Sequence, residues 1–250
     1  MDLFLFVITI KMCWNYQVSL SFSVLFLLIN SYYFIKKPLY WKEYLLFGMF
    51  YFIMEVFQTV QWLSGNVYDN SLNGVNQCNS INEGFTVFAH ILIWLQPILF
   101  GVIGYRTSQY KTFFRRFIIV NLLVFFYSLY SLTYGFSMDN YYSVDNSIFG
   151  LSTCTNVGET GHLVWRFKPA SIDFFPNYLM YVVMCSLSFL MYDKPEIQII
   201  GTGWAMSLVV TKLVLWPSIL EMASSWCLLS IVANVIIFVN IQMEKIYISA

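Results

Sequence analysis

Long apolar runs separated by polar gaps set the pattern of this chain. Runs of about 20 largely apolar residues, the length that crosses a bilayer's hydrocarbon core, fall at 17–35, 41–63, 85–105, 113–134, 174–192, 197–216 and 221–241. The gaps lie at 36–40, 64–84, 106–112, 135–173, 193–196 and 217–220. The runs are apolar around the whole helical circumference, and they lack the dyad alternation of a membrane barrel. No internal repeat or low-complexity tract interrupts them. The pattern predicts an all-α, polytopic membrane protein: one seven-helix bundle forming a single domain over 1–250.

Composition agrees. Apolar residues make up 59% of the chain and charged residues only 10%, against about a quarter charged in a soluble domain. A zero formal net charge leaves no basic footprint for nucleic acid. The N-terminus has no basic region or small-residue cleavage site, so no signal peptide is expected.

Lysine and arginine bias then suggests an orientation. Lys36, Lys37, Lys42, Arg106, Lys111, Arg115, Arg116, Lys194 and Lys245 fall at one set of span ends. Lys11, Arg166 and Lys168 fall at the other. The N-terminus is therefore expected outside or in a lumen, and the C-terminus in the cytosol. The long loops 64–84 and 135–173 would both be outside, and each carries one cysteine, Cys78 and Cys154. On an oxidising face these two are candidates for a bridge across the bundle mouth, with two free thiols as the alternative. No N-x-S/T sequon marks either loop, and no C-x-x-C pair supports a zinc ribbon or redox motif.

One run breaks the apolar rule. The second span reads FYFIMEVFQTVQWLSG from Phe50 to Gly65, with Glu55, Gln58 and Gln61 along its length. At 100° per residue, Glu55, Gln58, Thr59, Gln61 and Trp62 share roughly half of the helix surface, and Phe52, Val56, Val60 and Leu63 form the other half. A polar stripe on a spanning helix must face protein or water, because its groups would be unsatisfied in lipid. By the helical rise, Glu55 lies roughly 13 Å below the outer end of its span. His90 lies about 8 Å below the same surface on the third span, with Trp94 one turn deeper and Gln96–Pro97 deeper still. Lys212 lies about 7 Å below Pro217 on the sixth span, near Trp216, and Glu221 opens the seventh. Ionisable groups from four spans thus share the outer half of the bundle. They could line a ligand or ion cavity, or they could hold helices together through interhelical hydrogen bonds.

Several chemistries lack their residues. Metal-dependent membrane hydrolases need about three histidines near acids, and the chain has only His90 and His162. No H-E-x-x-H, G-x-G-D or G-x-S-x-G occurs. The one lysine inside a span is on the sixth, where a retinal Schiff base would need the seventh. The D-R-Y and N-P-x-x-Y signatures of G-protein-coupled receptors are replaced by GYRTSQY and VANVIIFVN. No cofactor and no metal are expected.

Four fragments carry a resemblance. MEVFQ holds Met54, Glu55 and Gln58, and CNSINEGFTVFAHILIWLQP holds Cys78, Asn82, Thr86, His90, Gln96 and Pro97. GHLVW holds Gly161, His162, Leu163 and Trp165, and WPSILEMASSWC holds Pro217, Ser218, Trp226 and Cys227. Together they resemble a family of uncharacterised multi-pass proteins of large DNA viruses and some protists. The resemblance implies a seven-helix membrane fold and says nothing about activity.

The sequence therefore predicts an integral membrane protein whose partners are the lipid bilayer and a small polar ligand or ion. It would act as a transporter or binding receptor. Glu55, Gln58, Thr59, Gln61, His90, Trp94, Gln96, Lys212 and Glu221 would line an outward-facing cavity, under a loop carrying His162 and Trp165. The alternatives are an intramembrane enzyme using Glu55 as acid or base, and a structural protein of a viral or host membrane.

Overall fold

The computed structural model describes residues 16–63, 68–69, 80–134, 154–157, 163–166 and 178–193, together with 197–198, 202, 206, 231 and 234–239. These residues are mostly helical. In chain order they form α1 (Tyr16–Lys36), α2 (Trp41–Leu63), β1 (Tyr68–Asp69), α3 (Ser80–Thr107), α4 (Lys111–Tyr134), β2 (Cys154–Val157), β3 (Leu163–Arg166) and α5 (Tyr178–Leu190). Four of the helices, α1 to α4, are long and apolar enough to cross a membrane, and α5 contributes a shorter apolar stretch. That is consistent with membrane association.

Local chemistry sets the turns. Lys37 takes a left-handed conformation, φ 44°, and its N–H donates to the Tyr33 carbonyl at 3.0 Å. This is the usual left-handed ending of a helix, and Pro38 directly after it blocks further winding. Tyr40, also left-handed at φ 60°, then turns the chain into α2. At the same end, the Asp193 carboxylate accepts from the Ser108 hydroxyl (3.0 Å) and the Gln109 N–H (2.7 Å). That pair of bonds ties the end of α5 to the α3–α4 turn.

Aromatic contacts fix the helix directions. Phe57 meets Phe85 and Phe88 near one end of α2 and α3, and Phe47 meets Phe100 near the other. Trp94 meets Tyr181, and Phe100 meets Phe189. Neighbours in sequence therefore run antiparallel through α4, and α5 runs parallel to α3. Helix α3 is the central one, with a buried side that runs from Asn82 to Gly104. Glycines let its neighbour approach: a Cβ on Gly104 would collide with the Phe114 ring, and one on Gly101 would lie 2.8 Å from Ile118 Cγ1. Gly48 on α2 serves α1 in the same way, seating the Asn30 amide. The surface of the bundle is apolar, with Leu28, Phe34, Ile35, Leu63, Leu123 and Phe126 all exposed. The apolar half of α2 inferred from its sequence faces outward, since Val56, Val60 and Leu63 are exposed.

The structure corrects three expectations. The gaps 64–84 and 135–173 are not loops alone, so the chain is not purely α. They hold a three-stranded sheet in which β1 pairs parallel to β2, and β2 antiparallel to β3. The third helix begins at Ser80 rather than 85, because its polar first turns are satisfied by that sheet and need no apolar face. At about 42 Å, α3 is longer than the hydrocarbon core of a bilayer is thick. The fifth helix ends at Leu190 rather than 192. The runs 197–216 and 221–241 fall largely outside the described residues. Within them the described residues are helical, and Phe238 packs on Tyr32 and Tyr33 of α1.

Gly104→Ala is expected to destabilise the bundle by about 1–3 kcal/mol through overpacking against Phe114. Gly84→Ala, whose Cβ meets nothing within 4 Å, is expected to be neutral or stabilising by up to about 1 kcal/mol through helix propensity. Thermal unfolding of the two detergent-solubilised variants checks both.

Candidate functional site

The polar stripe of α2 faces inward. Glu55, Gln58 and Gln61 are fully buried, and Thr59 is nearly so. Successive members three apart climb about 4.5 Å each along the helix. On α3, Asn82, Thr86 and His90 recur every fourth residue. They therefore form one column, with steps of about 6 Å, and all three are buried. The α2 stripe meets α1 at Ser19 and β3 at Trp165, and the α3 column meets β2 at Thr155 and α4 at Ser128.

The top layer joins the bundle to the sheet. The Asn82 amide donates from Nδ2 to the Thr155 carbonyl (2.9 Å), and its Oδ1 accepts the Thr155 N–H (2.8 Å). One side-chain amide thus mimics a neighbouring β-strand toward β2. The Thr86 and Thr155 hydroxyls share a hydrogen bond of 2.8 Å. On β3, the Trp165 indole N–H donates to Gln61 Oε1 at 3.2 Å. Thr155, Leu163, Val164 and Trp165 are all buried, so the hairpin is set into the bundle end and covers the layers beneath.

Below this cover lie Gln58, Glu55 and His90. The Ser19 hydroxyl of α1 donates to Gln58 Oε1 at 3.5 Å, a long bond. Thr59 turns its hydroxyl to the Glu55 carbonyl of its own helix, at 2.8 Å. His90 lies against the Ser128 backbone on α4 and packs its ring toward Trp94, with centroids 6.5 Å apart. Trp94 in turn meets Tyr181 edge-on.

The deepest layer is separate. Gln96 Nε2 donates to the Tyr51 hydroxyl, and the Tyr181 hydroxyl donates to Gln96 Oε1. One amide therefore joins α2, α3 and α5, one residue before Pro97 in the same helix. With both ends of its amide engaged, Gln96 is placed as a tie between helices more than as part of a ligand wall. Proline has no N–H, so the Ile93 carbonyl loses its usual helical partner beside this tie.

Glu55, Gln58, Thr59, Gln61, His90, Trp94 and Gln96 are thus all buried, with Trp165 bonded to Gln61. Lys212, Glu221, His162 and Cys78 lie outside the described residues. Cys154 opens β2, one residue before the clamped Thr155. Among the described residues, no group of three or more His, Cys, Asp or Glu could hold a metal ion. Sequence reasoning on the polar stripe missed Thr155, Ser19, Tyr51 and Tyr181. Tyr51 sits four residues before Glu55, a spacing that could have placed it. Thr155 carried no signal, because two of its bonds come from its backbone and the third, from its hydroxyl, goes to a residue far away in sequence. Asn82 and Thr86 entered only through the motif resemblance, although their four-residue spacing with His90 was a legible helical column.

Residues 17–247 match the family of unknown function DUF5765. The chain belongs to that family. It is also 58% identical, over 93% of its length and 97% of the relative's, to "Uncharacterized protein R287" of Acanthamoeba polyphaga mimivirus. The viral kinship that the four motifs suggested therefore holds. No solved structure matches the chain.

Gln96→Leu is expected to cost about 1–3 kcal/mol, because it removes a hydrogen-bond partner from each of two buried hydroxyls. Adding Tyr51→Phe and Tyr181→Phe to it should recover part of that loss, since the hydroxyls that lost a partner are then gone as well. Thermal unfolding of the single and triple variants in detergent is the check.

Proposed function

We propose that this DUF5765 member is a seven-span membrane protein whose interior binds a small polar solute or ion, as a transporter or receptor. The observation that carries the reading is the burial of two ionisable groups, Glu55 on α2 and His90 on α3, with Gln58 and Gln61 buried on the same side of α2 as Glu55. Ionisable groups at such depth in a spanning bundle are costly, and they are most often kept for substrate, ion or proton handling. The bilayer is the first partner, met by the exposed apolar residues of α1, α2 and α4. The sixth and seventh spans are the apolar runs 197–216 and 221–241, and Lys212 and Glu221 would extend the site from them. Lysine and arginine bias places the sheet outside or in a lumen, and the Lys37–Lys42 end in the cytosol. The structural alternative is favoured by the Gln96 tie, which joins α2, α3 and α5.

Glu55→Gln separates binding from glue. The isosteric amide keeps hydrogen bonding, so stability should stay within about 1 kcal/mol of wild type. A screen of the detergent-solubilised protein against alkali and alkaline-earth cations, small carboxylates and amino acids, read by thermal shift, should yield a stabilising solute. Its affinity should fall by about tenfold or more in Glu55→Gln. If no solute shifts wild type, or the variant keeps full affinity for one that does, the reading fails.

Orientation has its own test. Ser80→Cys and Gln109→Cys sit at opposite ends of α3 and its turn, and both positions are exposed. In intact cells an impermeant maleimide should label the first and spare the second until the membrane is opened. The reverse pattern would invert the topology.

A further inference from the structure

We propose that α4 carries a binding strip for an anionic phospholipid of the surrounding bilayer, with Arg115 and Arg116 holding its phosphate. The proposal rests on the reading of the bundle as membrane-spanning, and it names a lipid class that this reading leaves open. Helix α4 begins with Lys111, Arg115 and Arg116, all exposed, and has no acid in its first turn. Three cations there do not help the helix itself. The helix dipole disfavours positive charge at its start, and Lys111 and Arg115, four apart, repel each other.

The protein does little to balance these charges. Among the described residues, the acids at this end of the bundle are Glu43 and Asp193. Glu43 faces Arg106, and Asp193 accepts from Ser108 and the Gln109 N–H. The Lys111 ammonium donates to the Tyr105 carbonyl and lies 5.6 Å from the centre of its ring. No ion pair of Lys111, Arg115 or Arg116 occurs among the described residues.

Beneath the bases, the same side of α4 is apolar. Counted from Lys111 at about 100° per residue, Arg115 lies at about 40° and Arg116 at about 140°. Leu122, Phe126, Ile119 and Leu123 fall between about 20° and 120°, inside the sector that the bases bound. All four are exposed, while Phe114, Phe117, Asn121, Val124 and Ser128 on the opposite side are buried. From Arg115 to Phe126 the helix rises about 16 Å, close to half of a bilayer's roughly 30 Å hydrocarbon core. A phosphate held between the two arginines would therefore lay its acyl chains over Ile119, Leu123 and Phe126, the depth of one leaflet. A soluble acidic partner would use the bases and not the strip.

Charge sets the lipid class. Guanidinium groups bond phosphate oxygens in pairs. A zwitterionic headgroup also brings its own ammonium into a sector that already holds three cations, and an anionic one does not.

The experiment uses the full chain in phosphatidylcholine vesicles with a trace of photoactivatable lipid. That lipid is either phosphatidylglycerol or phosphatidylcholine, each with a diazirine on its acyl chain. Crosslinks are mapped by peptide mass spectrometry on α4 from Ile119 to Phe126, and on the exposed Val24, Leu27 and Leu28 of α1 as reference. The ratio of phosphatidylglycerol to phosphatidylcholine yield should be about fivefold or more higher on α4 than on α1, the order expected from basic side chains at an anionic headgroup. Arg115→Gln with Arg116→Gln should bring the two ratios together, while α1 labels as in the native chain. Lys36→Gln with Lys42→Gln removes the same charge from exposed positions at the same end, and it should leave the α4 ratio in place. Excess inorganic phosphate should leave it too.

Equal ratios on α4 and α1 in the native chain would overturn the proposal and leave the spanning reading intact. So would an equal loss in both double variants, which would mean a diffuse field with no site on α4. Loss of the α4 ratio to inorganic phosphate would assign the arginines to a free anion and overturn the lipid. Labelling of neither helix by either lipid would sink the spanning reading itself, and the proposal with it.

Discussion

A polar group inside a bundle with an apolar exterior has no solvent to fall back on, so the protein itself must satisfy it. That constraint organises this molecule. Helix α2 carries a carboxyl and two amides on one side, and α3 answers with an asparagine, a threonine and a histidine at every fourth position. Both columns are turned into the bundle and away from its apolar exterior. The exposed valines and leucine on the other side of α2 follow from the same rotation. Even α1 takes part, sending Ser19 to Gln58 and burying Ser23 against its own backbone.

Packing around this interior is done with glycine and rings. Gly48, Gly101 and Gly104 let backbones approach where a Cβ would strike a neighbour, and phenylalanine and tyrosine fill the remaining width. Without a strong hydrophobic drive between helices in lipid, close contact of this kind carries much of the association. One ion pair sits at the edge: Arg106 faces Glu43 at 3.6 Å with its own side chain half exposed. Such a pair contributes little to stability.

The sheet is what distinguishes the fold from a plain bundle. A two-strand hairpin with a short third strand is marginal on its own, so these strands depend on the helices beneath for stability. They receive it through Asn82, Thr86 and Gln61, the polar residues that an apolar helix would otherwise exclude. The amide of Asn82 thus has two effects, lengthening α3 by its polar first turns and holding β2 in place.

The sequence by itself determined the four long apolar helices α1 to α4, their boundaries within a few residues, and the inward face of α2. Each of these depends on composition and on the 3.6-residue period, which are local. It also held the viral kinship, in four short motifs. Only the tertiary structure decided where the polar groups go. Gln96 read as part of a ligand wall, yet Tyr51 and Tyr181 take both ends of its amide. Trp165 read as part of a loop, yet it is a strand residue bonded to Gln61, and Thr155 had no signal because its partners lie far away in sequence. Hydrogen bonds between residues 73 to 104 positions apart leave no periodic trace in a single chain. Their partners are selected by the rotation and depth of whole helices, and those exist only once the bundle has packed.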